Sequence, residues 1–205
     1  FITGLNSVPK RNTTPFHDMK TGLHYAMTTP TVRILLIMNL VASTMGWAHD
    51  SMLSVIARDV LKVGVSGLGY MIAVASFGGT VATLVVSNQP DIKEKGKVLI
   101  GGLAAFGIFL IIFSFSRWFP LSLLTLAFAY ASAMTYETIH NTILQTIVPD
   151  EMRGRMLSFV AFTWGMSSMA GFHTGAIAAA SSAPIAVAIG GSAVVLSAIA
   201  LSKAT

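Results

Sequence analysis

From Val63 to Gln89 the chain carries no charged side chain, and the same holds from Val98 to Ser116 and from Trp118 to Tyr136. A helix needs roughly 20 apolar residues to cross the hydrocarbon core of a bilayer. Only helices and closed barrels satisfy their backbone polar groups in lipid, and these runs are far longer than the roughly 10-residue strands of a membrane barrel. Two more runs are nearly as clean. Ile34 to Ala57 contains only His49 and Asp50 as ionisable groups, and Met156 to Ser202 contains only His173. The last run is too long for one span. Ser181-Ser182-Ala183-Pro184 divides it, because proline opens helices and disfavours helical geometry in the residue before it. The pattern predicts an all-α polytopic membrane protein with six transmembrane helices, about 31–57, 66–88, 97–115, 119–147, 155–180 and 184–202.

Composition agrees with lipid as the main solvent. Hydrophobic residues make up 54% of the 205 and charged ones 10%, against about 25% charged in soluble domains. The net charge of +5 points to topology and not to nucleic acid. Six spans put both termini on one side. With the termini and the 89–97 and 148–155 loops in the cytoplasm, the inner basic residues are Lys10, Arg11, Lys20, Arg33, Lys93, Lys95, Lys97, Arg153, Arg155 and Lys203. Only Arg58, Lys62 and Arg117 of the 13 basic residues remain outside, a strong positive-inside bias. Cysteine is absent, which excludes disulfides and thiolate metal sites. Phosphate-loop, HExxH and GxSxG motifs are absent, and the five histidines are scattered. The expectation is a non-enzyme with no cofactor and no bound metal.

Ahead of the first span, Lys10-Arg11-Asn12-Thr13-Thr14-Pro15 reads as a polar linker. Residues 16–27 then place Phe16, Met19, Leu23 and Ala26 near one helical face, a weak amphipathic helix at the inner membrane surface. Residues 1–30 are thus a cytoplasmic linker. Phe1 stands where an initiator Met would, and the opening stretch lacks the features of a secretory signal. We therefore expect a piece of a longer chain. The two inner loops are alike in kind. QPDIKEKGK (89–97) and VPDEMRGR (148–155) each place Pro-Asp after a span, then mixed charge with basic residues around a glycine. Asp150 and Glu151 suit the N-terminal end of a helix. Arg153 and Arg155 can reach lipid phosphates or carboxylates on a neighbouring helix end.

The stretch Asn141-Thr-Ile-Leu-Gln145-Thr-Ile-Val-Pro149-Asp150-Glu151-Met-Arg153-Gly154-Arg155-Met-Leu-Ser158 resembles the junction of the tenth and eleventh helices of major facilitator superfamily exporters. It is most similar to the enterobactin-exporter-like and macrolide-efflux-like branch. Thr21-Gly22-Leu23-His24-Tyr25 with Thr29-Pro30-Thr31-Val32-Arg33 resembles the entry to that family's seventh helix. Ala57-Arg58-Asp59-Val60-Leu61 with Gly67-Leu68-Gly69 resembles the outer loop after it. The resemblance covers about 16–202. It implies one six-helix half of a twelve-helix transporter that holds a small-molecule substrate, such as a drug or siderophore, near the midplane and moves it by alternating access. The facing half would come from the same longer chain or from a second copy. It also implies the bacterial cytoplasmic (inner) membrane and proton-coupled efflux. Asp91, Lys93, Gly96 and Lys97 fit the family's inner loop between the second and third helices of the half only loosely, since its usual arginines are missing. Together with Asp150, Glu151, Arg153 and Arg155 they are the cytoplasmic gate candidates. The alternatives are a self-contained six-helix protein working as a homodimer, and a non-transporting scaffold or sensor.

Ionisable groups at membrane depth are costly, so each prompts a functional hypothesis. Asp50 sits beside His49 in the outer half of the first span. Glu137 and His140 share one face of the fourth at i, i+3. His173 lies mid-way along the fifth. A cavity-facing carboxylate can exchange a proton for substrate, and histidine can relay one. With Asn39, Asn141 and Gln145, these residues are the proton or substrate pathway candidates, and Glu137 is the first of them. Gly165, Ser167, Ser168, Gly171 and Gly175 form a small face expected to pack closely.

Overall fold

The computed structural model describes residues 15–89 and 92–202. Asp91, the polar linker with Lys10 and Arg11, and Lys203 lie outside the described residues, as do the side chains of residues 15–19 and of Ser168. Every regular element among the described residues is a helix: α1 (Pro15–Thr28), α2 (Pro30–Val60), α3 (Gly64–Ser87), α4 (Lys95–Phe115), α5 (Phe119–Ile147), α6 (Asp150–Ala180) and α7 (Ala183–Ser202).

Proline opens four of these helices, α1 at Pro15 among them. Pro30 follows the extended cap residue Thr29, Phe119-Pro120 follows extended Trp118, and Pro184 stands in the first turn of α7. A proline there removes only an amide that would have no intrahelical partner. Among the described residues, five helices are long and apolar enough to cross a membrane: α2, α3, α4, α5 and α7. α6 has the length, 31 residues, or about 46 Å. It falls short in apolarity because Gly, Ser and Thr are interleaved with its aromatic residues and its first two turns are charged. By length and apolarity alone, then, the count is five where the sequence reading has six.

α5 lies between α3 and α4, α4 packs along α7, and α7 meets α6 and the middle of α2. The close contacts are made by glycines. A Cβ on Gly107 of α4 would lie 2.6 Å from the Gly191 carbonyl oxygen of α7, and one on Gly191 would lie 2.8 Å from the Gly107 carbonyl oxygen. Gly190 meets the backbone of Met45 in α2, and Gly78 of α3 meets that of Ala127 in α5. Close packing is thus carried by α3, α4 and α7. The expected small face of α6 is different: a Cβ on Gly165 or Gly175 would meet nothing within 4 Å, and Gly171 stands at ordinary contact distance from Ser51. At Gly165 and Gly175 that face fronts open space.

α3 packs chiefly on α5 and exposes Val65, Phe77 and Leu84. Such a surface suits lipid or another helical body. In α1 the apolar residues grouped by sequence divide. Ala26 and Gly22 are buried, with Gly22 against Phe159 and Arg155 of α6, while Leu23 is 51% exposed.

α2 is not one regular helix. Ala42–Gly46 forms a wide π turn, Trp47–Met52 a tight 3-10 segment, and Ile56–Val60 a second π turn. The local sequence explains the break. Thr44 donates to Leu40 O at 2.6 Å, His49 Nδ1 to Gly46 O at 2.7 Å and Ser51 to Ala48 O at 2.7 Å. Short polar side chains that bond the preceding turn compete with the helical ladder and bend it. The single regular helix expected over 31–57 is replaced by this broken one.

Candidate functional site

The break in α2 turns Trp47 and Asp50 toward an open cavity of about 550 Å³. α3 contributes Thr80 and Thr83 to its wall, α5 contributes Tyr130, and α6 contributes Trp164. A second cavity of about 250 Å³ continues between α2 and α6 past Ser51 and Ser167, and it shares Trp47, Asp50 and Trp164 with the first. Asp50 and the two indoles therefore stand where the spaces join.

The Asp50 side chain is 49% exposed. The Tyr130 hydroxyl donates to its Oδ1. His49 is buried beside it, with Nε2 3.4 Å from the same oxygen. Because His49 Nδ1 donates to Gly46 O, a neutral ring has no hydrogen on Nε2 to offer the carboxylate. Around this pair lies an aromatic cluster. Trp47 meets Tyr130 edge-on at 5.3 Å between ring centroids, Trp164 at 5.5 Å and Phe106 at 5.7 Å. His49 lies 5.5 Å from Tyr130.

Trp47 also connects the cavity to the interior. Glu137 is buried against it, with the indole placed to donate toward the carboxylate, and Glu137 Oε1 has no hydrogen-bond partner. Next along α5, Tyr136 is buried with its hydroxyl unpartnered. His140 Nε2 lies 3.1 Å from Leu35 O of α2, and its Nδ1 has no partner. Tyr130, Glu137 and His140 thus follow one another down the seam of α2 and α5, with rises of about 10 Å and 4.5 Å. Buried polar atoms without partners are uncommon, and α5 alone brings three of them here, on Tyr136, Glu137 and His140.

The other candidates are placed differently. Asn39 is fully buried and accepts a hydrogen bond from Thr163, which ties α2 to α6. Asn141 is half-buried and Gln145 exposed. His173 is half-buried on α6 and lines neither cavity, though its Nε2 is enclosed without a partner. At the gate, Arg153 pairs with Asp150 at 2.6 Å within the first turn of its own helix. Arg155 donates to Met152 Sδ at 3.2 Å, and Glu151 is exposed in the same turn. Lys97 pairs at 2.8 Å with Glu94, the cap residue just ahead of its own helix. Lys93 and Gly96 are exposed.

Sequence reasoning did not single out Tyr130, Trp47, Trp164 or Thr163. Aromatic residues in apolar runs read as lipid-facing or core. The available signal was their polar handle, since a Tyr or Trp within a span needs a partner for its hydroxyl or indole hydrogen.

The described residues are all helical, with five membrane-length apolar helices, one of them broken, and a cavity lined by a half-exposed carboxylate, which is the architecture of an integral membrane protein. A family model described as transmembrane secretion effector matches residues 5–205, and the chain belongs to that family, one of the major facilitator type. No curated protein and no solved structure matches the chain.

Proposed function

We propose that the chain forms the C-terminal six-helix half of a twelve-helix exporter of the bacterial cytoplasmic membrane. It would work by alternating access coupled to proton entry, with both termini cytoplasmic. α6 is the sixth span in this reading. Its low apolarity fits a helix that faces a water-filled path on one side and packs on α2 and α7 on the other. The facing half, from the same longer chain or a second copy, would cover the open side of the cavity between α3 and α6.

The observation that carries the reading is Glu137. It is 6% exposed, one oxygen has no partner, and a single indole separates it from the cavity. A carboxylate at membrane depth with an unfilled acceptor is suited to take up and release a proton. Movement of Trp47 would open or close its path to Asp50. Asp150, Glu151, Arg153 and Arg155 would re-pair across helix ends when the inner side closes, exchanging the local pairs for inter-helix ones.

Glu137→Gln keeps the shape of the side chain and removes the proton site. In the complete transporter reconstituted in liposomes with a pH-sensitive dye inside, the variant should melt within a few degrees of wild type. It should also lose substrate-driven proton movement. Proton movement at the wild-type rate would remove Glu137 from the mechanism.

A further inference from the structure

We infer that the cavity selects organic cations, with Asp50 as the counter-charge and Trp47, Tyr130 and Trp164 as the wall that receives the ligand's apolar body. This rests on the transporter reading and assigns the charge class of its substrate.

Three observations converge on it. First, among the described residues the only charged side chain lining either cavity is Asp50. No Lys or Arg among the described residues faces the space, although the same chain has 13 of them. An anion would meet an unopposed carboxylate, and in a site of low dielectric that repulsion is much stronger than in water. Second, the carboxylate is held but not neutralised. Tyr130 donates to Oδ1, a neutral hydroxyl that fixes the group and leaves its charge. The one cation-forming neighbour, His49, spends its Nδ1 hydrogen on Gly46 O. Third, three aromatic rings line the same space. Ring faces attract cations through their quadrupole, tryptophan most strongly, and flat apolar walls bury the ligand's hydrocarbon. The volume of about 550 Å³ suits a small organic molecule and is larger than a bare metal ion needs.

The test uses two probes of one shape and opposite charge, tetraphenylphosphonium and tetraphenylborate. Binding of each probe to the complete transporter in detergent is read by equilibrium dialysis. The phosphonium should bind saturably and the borate should not. Asp50→Asn should weaken phosphonium binding roughly tenfold, the scale of one interaction with a charged group. Asp50→Glu should stay within a few-fold of the parent. Equal or tighter borate binding, no saturable phosphonium binding, or an Asp50→Asn protein that binds phosphonium as the parent does would each overturn the proposal. If Asp50→Asn fails to fold, the contrast between the two probes in the parent and in Asp50→Glu still decides it. Failure here leaves the Glu137 proton step untouched, because no proton gradient enters the measurement. Failure of the Glu137→Gln test likewise leaves the cation preference standing.

Discussion

Thr163 and Arg153 lie on the same helix, and their polar contacts differ in what they hold. Thr163 bonds Asn39 in a buried seam between α2 and α6. Thr163→Val should lower stability by about 0.6 kcal/mol, the typical worth of a hydrogen bond between membrane helices, as read by thermal melting in detergent. Arg153 pairs with an exposed Asp150 in its own first turn, so Arg153→Ala should cost less than about 0.5 kcal/mol. A larger loss would mean that Arg153 already bridges to another helix. At this scale the sequence made the costly groups conspicuous. Asp50, Glu137, His140 and His173 stand out because nothing near them in the chain is charged. What each one faces was not legible, because it depends on partners far away in sequence. The Asp50 partner Tyr130 and the Glu137 neighbour Trp47 come from different helices, and both read as ordinary apolar positions.

Among the elements, glycine position decides what a substitution does. Gly107 touches the backbone of Gly191 across the α4–α7 contact. A larger side chain must push the helices apart, and Gly107→Val should destabilise by about 1–3 kcal/mol. Gly175 fronts open space in α6, so Gly175→Ala should be neutral or should stabilise by about 0.5–1 kcal/mol through helix propensity. Melting temperatures of the two variants should therefore move in different directions; equal losses would mean that the α6 face is packed after all. The helical class and the helix-opening prolines were legible because they depend on local chemistry. The break in α2 was not. Thr44, Gly46, His49 and Ser51 each tolerate a helix singly, and the irregular turns arise from three side-chain bonds acting on consecutive turns.

In the whole molecule, the role of α6 sets everything else. If it crosses the bilayer, six spans return the chain to its starting side, the cavity has its fourth wall, and Glu137 lies at depth beside an aqueous path. Five helices announce themselves by apolarity. The sixth does not, because a helix that lines a polar cavity gives up that signature on one face. These 205 residues contain no cysteine, so single cysteines placed in them, in a protein otherwise cleared of cysteine, give a direct test. Single cysteines at Arg153, in the first turn of α6, and at Ser182, after its end, can be challenged in intact cells with a membrane-impermeant maleimide, with Lys93→Cys and Lys62→Cys as references for the two sides. The account predicts that Ser182→Cys and Lys62→Cys label from outside, while Arg153→Cys and Lys93→Cys label only after the membrane is opened. Labelling of Arg153→Cys and Ser182→Cys from the same side would contradict it, since α6 would then not cross the membrane and the cavity would lack the wall on which the transport reading depends.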